Sequence, residues 1–392
     1  MKPLEDIVVL DFSQFLSGPS ATLRLADMGA TVIKIERPEG GDICRQLYVS
    51  DVMIEGESTI FHAINRNKQS YAADLKNPDD LAKIKLLLQQ ADVMLHNFRP
   101  GVIERLGLSY EVVKTINPGI VYAEISGYGS EGDWKHLPGQ DLLLQSVSGL
   151  TWLTNNQNES PTPMGVSVAD ILAGAHISQA ILAALYKKAI SGEGSQVSVS
   201  MLESVMNFQF ELITCFYNDG NELPVRSAVN NGNAYLQAPY GIYATREGFL
   251  ALAMGDIVQL GNILDCATLG NYTNTADWFT LRDEIKGHLA NHLITNTADF
   301  WLSKLQAAGY WAAKVFNYDQ LTEHEGYKAI NMELFVNSSN RLQIKTTRCG
   351  IKIDGEILLA TKGAPLLGEH TDTINTKYLK QSEVGKAIFH NA

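Results

Sequence analysis

The chain of 392 residues is long enough for two or three domains at roughly 100–200 residues each, and its 45% apolar and 19% charged residues are those of an ordinary globular protein. Against 31 Lys and Arg stand 43 Asp and Glu, a net charge of −12, so the basic footprint of a nucleic-acid binder is missing. No run approaches the roughly 18 consecutive apolar residues of a membrane span, and the short acidic start at residues 1–6 does not read as a signal peptide, which points to a cytoplasmic protein. The cysteines Cys44, Cys215, Cys266 and Cys349 are scattered, with neither a disulfide framework nor the clustered spacing of a metal site.

In chain order, residues 7–12 form an apolar, β-branched run that predicts the first strand. Gly18-Pro19 then opens a helix, with proline tolerated in its first turn, and Gly29 stops it. Residues 31–35 predict the second strand. Asn77-Pro78-Asp79-Asp80 signals a helix start, followed by apolar spacing at Leu81, Ile84, Leu87 and Leu88. Residues 93–95, 120–123 and 196–199 supply further strands. Strands separated by helices require right-handed crossovers, so residues 1–200 read as a doubly wound parallel α/β domain. Within it, residues 154–161 form a polar surface loop, and residues 171–188 form a helix apolar on nearly all sides, which should be buried. Residues 225–325 change character, with a strand-and-turn region followed by amphipathic helices, and predict a smaller α+β domain.

A parallel sheet binds ligands in the loops beyond the carboxyl ends of its strands. Those loops hold Ser17, Arg37, Asn97-Phe98-Arg99 and Ser126-Gly127-Tyr128-Gly129, with Arg105 a turn or two further on. Cations gathered there in an acidic chain suit a phosphorylated small molecule, and arginines in surface ion pairs would give the same spacing. A nicotinamide dinucleotide is disfavoured, because Ser17-Gly18-Pro19 stands where a Gly-x-Gly-x-x-Gly turn would be needed. Asp170 precedes a long apolar helix. It suits an N-cap, which accepts backbone N–H bonds, and equally a carboxylate held ionised for attack on an acyl carbon. Local chemistry leaves both readings open.

Leu10-Asp11-Phe12, Ser17-Gly18-Pro19, the run from Gly29 to Glu36, Asn97-Phe98-Arg99-Pro100-Gly101, Gly127-Tyr128-Gly129, Val168-Ala169-Asp170, Ala238-Pro239-Tyr240-Gly241 and the run from Ala364 to Thr371 follow one another along nearly the whole chain. Together they resemble the class III CoA-transferases, the family of formyl-CoA transferase, carnitine CoA-transferase and α-methylacyl-CoA racemase. The resemblance implies transfer of CoA from an acyl-CoA to a free carboxylic acid, with Asp170 as covalent nucleophile. It places CoA, a substrate rather than a resident cofactor, on Leu16, Ser17, Arg37, Ala73-Asp74-Leu75-Lys76, Asn97-Phe98-Arg99 and Arg105. Phe61 and Gly139-Gln140-Asp141 would lie near the acyl group, and the glycine segments at Gly127–Gly129 and Pro138-Gly139 would supply oxyanion donors. It also implies a homodimer of interlocked chains, with residues 345–392 returning to the large domain.

Two departures bear on the reaction. Racemases of the family carry a histidine where Gln140 stands, and glutamine is no general base near neutral pH, so transfer is favoured over racemisation. Formyl-CoA transferase has a glutamine in place of Leu16 and a glycine run that is missing here, which leaves the acid acceptor open. A non-catalytic CoA-binding homologue is the remaining alternative, and the presence of Asp170 weighs against it.

Overall fold

In the computed structural model, residues 2–47, 52–359 and 361–379 are described. The chain divides into two units. The first comprises the described parts of Met1–Leu144, Ser167–Phe208 and Asn331–Ala392, and the second comprises Gln145–Val166 and Gln209–Ile330.

The first unit is built on six parallel strands: β1 (Val8–Asp11), β2 (Thr31–Glu36), β3 (Gln69–Ala72), β4 (Val93–His96), β5 (Val121–Ser126) and β6 (Ser195–Ser200), in the order β3-β2-β1-β4-β5-β6. This is the doubly wound order expected of strands joined by helical crossovers, with its switch point between β1 and β4. Register places Ile33, Leu10, Met94 and Tyr122 in one row across four strands. All four are buried, in one core with Ile84, Leu87 and Leu88. Those three lie on the helix Pro78–Leu88, whose start Asn77 caps by accepting from the Asp79 and Asp80 N–H groups.

The edge strand β3 is missing from the sequence reading. Gln-Ser-Tyr-Ala is short and lacks an alternating apolar pattern, and its support comes from the far end of the chain. The Ala72 N–H donates to Thr371 Oγ1 at 3.0 Å, the His370 N–H donates to the Ser70 carbonyl at 3.0 Å, and Tyr71 Oη donates to Asn375 Oδ1 at 2.8 Å. The tail therefore covers an open sheet edge. Residues 380–392 of the expected C-terminal segment lie outside the described residues.

Helix α1 (Ser17–Asp27) follows β1, and the long helix α2 (Val168–Ser191) packs across it. Gly174 permits the approach. A Cβ there would lie 2.7 Å from the Ser17 carbonyl oxygen and closer still to Ser20 Oγ. Ser178 donates back to the Gly174 carbonyl at 2.6 Å. Helix α2 is long and apolar enough to cross a bilayer by length and composition alone, a test that the core helix of a globular protein also passes. The expectation that it is buried all round needs correction: Ala173, Ile177 and Ile181 face the core, while Ile171, Tyr186 and Ile190 are exposed.

The second unit holds a three-stranded antiparallel sheet, β7 (Gly241–Ala244), β8 (Phe249–Leu252) and β9 (Ala312–Lys314), ordered β9-β8-β7. Its core gathers Tyr243, Leu250, Leu260, Leu289, Trp301 and Leu305. Residues 145–166, expected in the large domain, belong to this unit. The reason is Arg226, which donates to the carbonyls of Thr154, Gln157 and Glu159 at 2.6, 3.1 and 3.1 Å. The polar loop is thereby fastened to the second unit by a buried guanidinium.

Candidate functional site

The loops after β3, β2, β1 and β4 leave the same edge of one parallel sheet, and topology alone brings their residues together. Ala73–Lys76 follow β3, Arg37 follows β2, Leu16 and Ser17 follow β1, and Asn97–Arg99 follow β4. Arg105 closes a one-turn helix, Val102–Arg105, just beyond. Arg37, Lys76, Arg99 and Arg105 are exposed. Among the described residues Arg37 donates two long bonds, 3.3 and 3.4 Å, to the Gly41 carbonyl. Among the described residues, none of these four side chains forms an ion pair that would tie it down.

The turn between β1 and α1 is tightly held. Asn97 Nδ2 donates to the Gln14 carbonyl at 2.7 Å, and Asn97 Oδ1 accepts the Gln14 N–H at 2.8 Å. Phe15 sits at φ 63, a left-handed conformation costly for a bulky residue. Asp42 Oδ1 accepts its N–H at 3.2 Å. The chain then enters α1 at Ser17, so strain is stored beside the first N–H groups of that helix.

Beneath this edge lies a network of buried ions. Asp11 accepts from Ser13, from Thr22 Oγ1 at 2.6 Å and from Lys68 Nζ at 3.1 Å. Burial pushes its carboxyl up, but Lys68, Lys34 and the two hydroxyls outweigh that and hold it at about 2. Lys34 pairs with Asp42 at 2.7 Å, and Glu36 receives Arg45 through two nitrogens at 2.7 and 2.8 Å. Arg45 also stacks 3.8 Å over the Phe61 ring and donates to the Pro365 carbonyl. Phe61, expected near an acyl group, is fully buried in this arrangement and offers no surface to a ligand. Leu16 packs on the same small cluster and is partly exposed.

Asp170 is the third residue of α2 and not its cap, which corrects one of the two sequence readings. Ser167 holds the N-cap position without a side-chain bond. The capping acceptor is Asp141, whose Oδ1 receives the Ala169 N–H at 2.7 Å and the Asp170 N–H at 3.4 Å. The Asp170 carboxyl is therefore free for another task. It is partly buried against α1, where it meets the hydroxyl and the N–H of Ser17. Burial first, and then the negative charge of Asp141, push its pKa from 3.8 up to about 6, against the pull of the Ser17 bonds.

Gly127 and Gly139 meet backbone to backbone. A Cβ on either would lie 2.8 or 2.6 Å from the other's Cα, so only glycine fits both places. The contact sets the approach of the segment Gly139-Gln140-Asp141 to the loop after β5, and Gly139 and Gln140 are exposed there. Of the expected oxyanion donors, the Gly129 N–H is already taken by Ser126 Oγ at 3.0 Å. A cavity of about 350 Å³ opens beyond the ends of β4, β5 and β6, lined by Phe98, Arg99, Ser126, Tyr128 and Ser200 among others. His96 at its wall is held neutral, pushed down to about 4 by burial.

Sequence reasoning did not find the capping role of Asp141 or the ion network. Their partners lie 28 and 57 positions apart in the chain, and no local signal joins them.

The model of CoA-transferase family III matches residues 4–371. A succinate–glutarate CoA-transferase of Agrobacterium fabrum is 30% identical over 94% of this chain and 94% of its own length. An acetyl-CoA:oxalate CoA-transferase of Acetobacter aceti is 31% identical over 78% of this chain and 79% of its own. The crystal structure of a CaiB/BaiF family protein from Brucella suis superposes with a TM-score of 0.84 at 27% identity, covering 96% of this chain and 99% of that one.

Proposed function

This chain belongs to CoA-transferase family III, and on that premise we propose that it moves CoA from an acyl-CoA to a small dicarboxylic acid through a covalent intermediate on Asp170. Transfer between an acyl-CoA and a free acid is the activity of the related enzymes, and those compared above act on succinate, glutarate and oxalate. The observation that carries the finer reading is the Asp170 carboxyl. It is relieved of capping duty, held by Ser17 at the start of α1, and partly open to solvent.

A carboxylate oxygen of Asp170 attacks the thioester carbonyl and expels CoA thiolate, which leaves a mixed anhydride. The thiolate attacks the aspartyl carbonyl, and the first acid departs with the bridging oxygen. The second acid attacks the aspartyl thioester, forming a new anhydride and releasing thiolate again. Attack of that thiolate on the new acyl carbon gives the product and returns the aspartate, which now carries one oxygen from the second acid. The N–H groups opening α1 favour the negative charge that develops at each carbonyl. Arg37, Lys76, Arg99 and Arg105 on the surrounding loops would hold the phosphates of CoA.

The test uses an acceptor acid labelled with ¹⁸O. Label should enter the peptide containing Asp170 during turnover, and Asp170→Asn should lose transfer while still binding CoA. Rapid exchange of the α-hydrogen in heavy water, with no label reaching Asp170, would assign the protein to the racemase chemistry instead. The family reading also carries an interlocked homodimer, in keeping with a chain that passes between its two units four times. Sedimentation at nanomolar concentration should show no monomer, and a native monomer would remove that part of the proposal.

A further inference from the structure

We propose that Asp141 is the positioning residue of this site, capping the helix that carries Asp170 and setting its own negative charge against the Asp170 carboxylate. The inference rests on Asp170 being the nucleophile.

The cap is an unusual one. The first N–H groups of a helix lack intrahelical partners and are ordinarily served by the residue just before them. Here Ser167 stands at that place and makes no such bond. The carboxylate of Asp141 reaches across from the start of the helix Asp141–Val147 and accepts from Ala169 at 2.7 Å and from Asp170 itself at 3.4 Å. The backbone of the attacking residue is thus fixed from one side by Asp141, while Ser17 fixes its carboxyl from the other. The Gly127–Gly139 contact, two residues before Asp141, seats the segment that delivers the cap.

A cap of this kind could have been a serine or an asparagine, and the charge of an aspartate has a consequence. Among the described residues, the elements packed around Asp170 bring no other charge to bear on it than Asp141. The surface of α1 offers Ser17 to Asp170, and Ser20 and Ala21 to Gly174 and Ser178 further along α2, none of them charged. The ions beneath α1, Asp11 and Lys68, bond to Ser13, Thr22, Pro19 and Asn65 on its far side. On α2, His176 turns to Ser204, and on the helix Met201–Phe208 Glu203 accepts from Ser200. Burial first, and then Asp141, the charge among the described residues that acts on Asp170, raise that carboxyl from 3.8 to about 6. An acid with a raised pKa is protonated below it, so the nucleophile is lost as pH falls through about 6 and is present above. A carboxyl with that pKa is about one-tenth ionised at pH 5. Ionisation alone should make kcat/KM at pH 5 about one-tenth of its value at pH 8.

Asp141→Asn separates the two roles, because asparagine caps a helix as well as aspartate and carries no charge. The ratio of kcat/KM at pH 5 to that at pH 8 should rise several-fold in Asp141→Asn. In Asp141→Ala, which also loses the cap, kcat at pH 8 should fall while CoA affinity holds. Titration of the Asp170 carboxyl by ¹³C NMR of aspartate-labelled protein, assigned with Asp170→Asn, gives a readout independent of turnover. Its midpoint should lie near pH 6 in the native protein and move down in Asp141→Asn. A native midpoint near 4, or one unmoved by Asp141→Asn, would overturn the proposal. A midpoint that moves while the rate profile does not would support the pairing and count against Asp170 as nucleophile.

Discussion

Replacing Asp170 by asparagine should stabilise the protein at the pH where it destroys the activity. The carboxyl titrates at about 6 in the folded chain, against a reference of 3.8. The native state therefore binds this proton more tightly than the unfolded state does. Stability is therefore retained at low pH and lost as pH rises from about 4 through about 6, because the charge that then forms is partly buried and faces Asp141. A difference of about 2 in pKa, at about 1.4 kcal/mol each, gives about 3 kcal/mol at full ionisation. Asp170 retains some contact with solvent, which screens part of this. The expected gain for Asp170→Asn is thus about 1–3 kcal/mol at pH 8, shrinking toward zero near pH 4. Asparagine keeps an oxygen to accept the Ser17 bonds, so little else changes. Urea denaturation of native and variant protein at pH 8 and pH 4 measures the difference. No gain at pH 8, or an equal gain at both, would refute the reasoning. A carboxylate that costs stability in this way would fit the general trade between stability and function.

Gly174→Ala should destabilise by about 1–3 kcal/mol, because the added methyl meets the Ser17 carbonyl and Ser20 where α1 and α2 cross. The same shift displaces Asp170 one turn away, so kcat should fall in a variant that still folds, and an unchanged urea midpoint would contradict the packing argument. Asp11→Ala should cost about 3–5 kcal/mol in urea denaturation, since it leaves the buried Lys68 without its carboxylate. A loss below 1 kcal/mol would show that Asp11 is not the partner that makes the buried ammonium tolerable.

The alternation of strand and helix was legible in the sequence, because each element there carries its own local evidence. Residues 7–12 and 93–95 are short apolar runs, Asn77 and Pro78 mark a helix start, and Gly29 marks a stop. The arginines Arg37, Arg99 and Arg105 were likewise found as loop residues after strands, and topology gathers those loops along one sheet edge. What escaped was every feature whose partners are remote in the chain. Strand β3 looks too polar to pair until the tail, some 300 residues later, meets its free edge. Residues 145–166 change unit because Arg226 takes their carbonyls. Phe61, which the family resemblance puts near the acyl group, is buried beneath Arg45 and beside Ala364. Asp170 is the sharpest case. Its sequence neighbours suit an N-cap as well as a nucleophile, and the N-cap reading falls only when Asp141, 29 residues earlier, is found supplying the cap. Periodicity and capping signals are written in adjacent residues and survive without a fold. A carboxyl's pKa, a buried ion's partner and a strand's last hydrogen bond depend on distances in space, and only the folded chain sets those.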